Sequence, residues 1–72
     1  MFSPSKPSGI LKLDNSAGTI IYIGEAAPGV SDSDTKWRIK KLDTSTGLVI
    51  TWASGTVFYD KQWTQRVSYT YS

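Results

Sequence analysis

Apolar residues along the chain fall in short clusters divided by turn residues, without the sustained three- and four-residue spacing of a long helix. Residues 10–13 (ILKL) form a first short apolar-polar run. The stretch 14–18 (DNSAG) is turn chemistry, with Asx side chains that bond nearby backbone and a glycine that accepts positive φ. Residues 19–23 (TIIYI) make the strongest strand signal, β-branched and aromatic with glycine on both sides. The two runs together predict a hairpin. Residues 25–35 form the longest loop, with Pro28-Gly29 marking a type II turn. Residues 36–43 alternate: Trp37 and Ile39 point one way, Lys36, Arg38 and Lys40 the other. After a turn at 44–47, the unbroken apolar run from Leu48 to Ala53 predicts a strand central in the sheet. In residues 57–65, Phe58, Gln62 and Trp63 stand near helical spacing, predicting a short helical turn near 58–65. Residues 66–71 alternate again, with Val67, Tyr69 and Tyr71 on one face, and predict a terminal strand. Five short strands at this spacing predict an all-β fold: a five-stranded antiparallel meander closing into a small barrel or sandwich.

The domain is expected to span residues 10–72. Residues 1–9 (MFSPSKPSG) read as a flexible N-terminal arm, because two prolines and a glycine oppose helix and little is apolar. Phe2 is the exception, a candidate anchor for a neighbouring subunit.

Length sharpens this picture. At 72 residues, a domain buries only about 60% of the surface its unfolded chain exposes. Cysteine is absent, so no disulfide staples the fold, and histidine is absent, which removes the usual zinc sites and the Ser-His and Cys-His nucleophile pairs. A small core without staples predicts support from oligomerisation or from docking on a larger assembly. The net charge of +2 is too even to draw a polyanion, so nucleic acid is not expected as a partner. No apolar run is long enough to span a membrane, and the Ser/Pro-rich start lacks the apolar stretch of a signal peptide. The expected setting is a cytoplasm, or a particle assembled in one.

Four groups of residues could carry chemistry, and each also has a plain structural reading. Asp32 and Asp34, with Glu25 nearby, offer oxygens to calcium, but the spacing lacks the ligand pattern of a calcium loop and reads better as a solvated loop. Lys36, Arg38, Lys40 and Lys41 resemble a nucleic-acid platform only if aromatic rings share their face, and Trp37 alternates away. The aromatic residues, Trp37, Trp52, Tyr59 and Trp63 among them, serve chiefly as core, with subunit contact and ligand contact as the other uses. Glu25, Asp43 and Asp60 could supply a carboxylate pair for glycoside hydrolysis, but so small a domain leaves little room for the cleft such chemistry needs. No enzyme activity and no cofactor is expected.

The order of motifs carries a resemblance. Residues 22–29 (YIGEAAPG) precede 37–43 (WRIKKLD), then 50–55 (ITWASG), then Phe58 and Trp63, then 66–71 (RVSYTY). This order resembles short virion proteins of tailed bacteriophages, with their YIG-x-A-x-PG loop, W-x-I-K/R-K/R strand, TWA-x-G turn and closing W-x-x-R-x-S-x-x-Y strand. The resemblance covers roughly residues 19–72. Lys61 and Gln62, between Asp60 and Trp63, depart from the tryptophan-rich ending. The resemblance implies a non-enzymatic structural component, decorating the capsid or sitting in tail or neck, in many symmetric copies. Its partners would be itself and other virion proteins. Phe2, Trp37, Arg38, Trp52, Tyr59, Trp63 and Arg66 are the candidate contacts, with Arg66 expected to stack on the Trp63 indole. Two other functions compete: a binding module for a host-surface glycan or protein, and a small barrel for single-stranded nucleic acid.

Overall fold

The computed structural model describes residues 9–72. Phe2 and all but the last residue of the expected arm lie outside that range. Four strands form one antiparallel sheet: β1 (Ile10–Asp14), β2 (Ile20–Ala26), β3 (Trp37–Asp43) and β4 (Val49–Trp52). Their spatial order is their chain order, a meander. The predicted hairpin at 10–23 is present, and Gly18 takes positive φ in its turn. The helical turn expected near 58–65 is a single 3-10 turn, Trp63–Gln65.

Three expectations need correction. The sheet is open, not a barrel or closed sandwich, because β1 and β4 do not pair. The chain after β4 lies across one face of the sheet and fills the place of a barrel interior; the Trp63 ring sits so close on Gly24 that a Cβ there would overlap it. The strand predicted at 66–71 is not seen among the described residues. Arg66 and Ser68 donate backbone N–H to Trp63 and Gln65 three residues back, and the Ser68 hydroxyl donates to the same Gln65 carbonyl. These local bonds favour a turn over an extended chain. Only the end of that segment is laddered, by a bridge between Ala53 and Tyr71 and by mutual amide–carbonyl bonds between Trp52 and Ser72. Finally, β4 is the last strand of the sheet, not a central one. Leu48, Val49 and Ile50 are half or more exposed, so their apolar run does not mark burial on both faces.

Register fixes two faces. Ala26 stands beside Trp37 and Gly24 beside Ile39, and these residues face the core. Trp37, Ile39, Ala26 and Ala53 from the sheet region meet Trp63 from the tail, with Ile10, Tyr22, Tyr69 and Tyr71 packed around them. The opposite face carries Leu11 and Leu13 of β1, Ile21, Ile23 and Glu25 of β2, Arg38, Lys40 and Leu42 of β3, and Ile50 and Trp52 of β4. The tail covers the first face. The second face is mostly apolar, and Leu11, Leu13 and Ile50 on it are 68%, 60% and 50% exposed.

Candidate functional site

The candidate contacts divide between these two faces. Trp37 and Trp63 are core residues. Trp37 is wholly enclosed, its Nε1–H donating to the Ser31 carbonyl at 2.9 Å, and its ring meets that of Trp63 at 5.8 Å between centroids. Side chains this enclosed offer a partner almost no surface. The Arg66 guanidinium lies 4.6 Å from the Trp63 ring centroid, the stack expected from sequence. It also donates to Asp14 Oδ2 at 2.8 Å and to the Trp63 carbonyl at 3.1 Å. Asp14 in turn accepts from the Ser16 hydroxyl and amide; these bonds, then Arg66, hold its carboxyl down to about 2. Tyr71 OH donates to the Arg66 carbonyl at 2.6 Å, and burial pushes its phenol well above the ordinary range. Trp63, Arg66, Asp14 and Tyr71 form a clasp that holds the tail to the sheet.

Arg38, Trp52 and Tyr59 gather on the uncovered face. The Arg38 guanidinium stands 4.8 Å from the Tyr59 ring and 5.4 Å from the Trp52 ring, with Lys40 Nζ 5.5 Å from the latter. Arg38 also donates from Nε and Nη2 to Glu25 Oε1, at 3.2 and 3.0 Å. The alternation of β3 separates Trp37 from the cations, as expected, but rings of other segments join them. Lys40 lies directly across from Trp52, and paired residues of neighbouring strands share a face. The single sequence cannot show that register, so this cluster was not legible as a unit. A groove of about 680 Å³ opens beside it, lined by Ile10, Leu11, Glu25, Ala26, Lys36 and Tyr59 among others.

The remaining candidates stay apart. Asp32 pairs with Lys12 at 2.7 Å, and Asp34 accepts from the Ser31 amide at 3.0 Å. Trp37, Gln62 and Thr64 bond the carbonyls of Ser31, Ser33 and Asp32, so the acidic loop is pinned against the tail. Among the described residues, no three acidic side chains gather as metal ligands. Glu25 is held by Arg38, Asp43 by Ser45 and Asp60 by Lys61. Glu25 and Asp43 lie at opposite ends of the β2–β3 ladder, about 17 Å apart along the strands. Among the described residues, Lys61 is the buried cation, 6% exposed, bonded to Asp60 and to the Thr56 hydroxyl while its backbone bridges Trp37.

No protein-family model, curated protein or solved structure matches the chain. Its functional reading therefore draws on the two faces of the sheet and on the motif order.

Proposed function

We propose that the chain is a non-enzymatic structural component of a tailed-bacteriophage virion, decorating the capsid or serving as a tail or neck accessory. In this reading it is assembled in the host cytoplasm and acts through contacts with its own copies and with other virion proteins. The observation that carries the reading is the uncovered apolar face of the sheet, on a chain with neither cysteine nor histidine to staple a small core. Exposed contiguous apolar surface marks a contact site. The motif order supports the virion setting. Quantitative mass spectrometry on gradient-purified virions from the source tests the proposal. A fixed ratio of this chain to the capsid protein is the expected result, and absence from the particle overturns it.

A second reading, a binding module for a host-surface glycan or protein, draws on one observation: Tyr59, 51% exposed, flanks Arg38 at the edge of the groove. The burial of Trp37 and Trp63 weighs against it, since a glycan platform needs several open rings.

A further inference from the structure

We infer that the uncovered face is a self-complementary surface, and that two copies of the chain stack on it face to face about a two-fold axis parallel to the strands, between β2 and β3. The face can be laid out in rows from the register. One row reads Leu11, Glu25, Arg38; the next Leu13, Ile23, Lys40, Trp52; the next Ile21, Leu42, Ile50. A two-fold axis along the strands exchanges β2 with β3 and β1 with β4. It sets Ile21 against Leu42 of the second copy and Leu13 against Trp52 of the second copy. It also sets Glu25 of each copy against Arg38 of the other.

Charge picks this occupant. Apart from Lys40, the charges on the face are the Glu25–Arg38 pair, 3.0 Å apart within one chain. In the stacked pair the two such pairs alternate in sign and no like charges oppose, with the Tyr59 ring, 4.8 Å from each guanidinium, sharing that row. The Lys40 ammonium already leans over Trp52, which leaves its methylene stem toward Ile23 of the second copy. Aligned packing of two sheets, about 10 Å apart, is a common way to bury such faces. Strand spacing and residue rise give a patch of roughly 400 Å² per copy in projection. Two such patches make about 800 Å², below the standard specific interface, so the expected dimer is weak and transient.

The inference deepens the assembly reading by naming its surface and symmetry, but it is tested on the isolated chain. A negative virion experiment would leave it standing. Sedimentation velocity from roughly 1 µM to 1 mM should show a monomer–dimer equilibrium. Glu25→Arg and Arg38→Glu should each weaken self-association about tenfold or more, by opposing like charges across the axis. Mixing the two variants should restore dimers, because one then carries two cations where the other carries two carboxylates. The double variant E25R/R38E keeps the pair within each chain and should dimerise like the parent, which separates the interface from folding. A chain monomeric throughout this range overturns the proposal. So does a dimer that ignores both charge reversals.

Discussion

Gly24 sits in the middle of β2, where a glycine lacks an ordinary reason to be. The sequence reads it as the end of a strand, yet β2 runs on through Ala26. The reason is contact: the Trp63 ring rests on the backbone there, and Trp37 lies on the other side of the missing side chain. Gly24→Ala should therefore displace Trp63 and cost about 1–3 kcal/mol by overpacking. The melting temperature should fall by about 4–8 °C for each kcal/mol lost. An unchanged melting temperature would mean that Trp63 is not seated on the sheet. Asp14 makes a second prediction. Its carboxyl is held down to about 2 by Ser16 and Arg66, from an ordinary value of 3.8. A group with a depressed folded pKa stabilises the fold above its ordinary pKa and loses that contribution as pH falls through the folded one. The melting temperature should thus decline between about pH 4 and pH 2, and Asp14→Asn should flatten that decline. Part of the decline should persist in the variant, because Asp43 is lowered by Ser45 in the same direction.

At the scale of elements, the tail does the work that a fifth strand was expected to do. Residues 70–72 close the outer side of β4 through the Ser54–Thr70 and Trp52–Ser72 backbone bonds. Removing them deletes three such bonds, each worth about 1 kcal/mol net, together with the burial of Tyr71. Denaturant unfolding should show a loss of at least about 3 kcal/mol, and the freed β4 edge should promote aggregation. Equal stability of the shortened chain would show that the tail's end contributes nothing. The elements also show where sequence reading succeeds. In β3, strict alternation around Trp37 and Ile39 is a local signal, and it gave the core face directly. The same reading failed at β4, because Leu48 to Ala53 look alike whether buried by a second strand or left on an open face. At 66–71 the alternation of Val67, Tyr69 and Tyr71 is real, but local turn bonds win, leaving Val67 71% exposed. The Arg66–Trp63 stack was legible from a spacing of three residues; the Arg38–Trp52–Tyr59 cluster depends on pairings between distant segments and was not.

Among the described residues, the molecule is a sheet with one companion layer. Stable domains usually bury each apolar face against another layer. Here the inner face has its cover in the tail, while the outer face leaves Leu11, Leu13 and Ile50 in water and Ile21, Ile23 and Leu42 half-buried. The charge on that outer face is gathered on two of its four strands, with Glu25 and Arg38 on one row. The proposed self-complementary stack would cover that outer face without a new segment of chain.

Strand order equal to chain order has a consequence in time. Each strand pairs with the next along the chain, across five residues at 15–19 and 44–48 and ten at 27–36, so the loops to be closed are small beside the return of the tail. The bond between Asp14 and Arg66 instead joins residues 52 apart. The turn that starts the return, Ser54 and Gly55, already holds two successive residues at positive φ. Native-state hydrogen exchange should show this as an order of opening, the Trp52–Ser72 and Ser54–Thr70 amides that tie the tail to the sheet exchanging before those of the β2–β3 ladder.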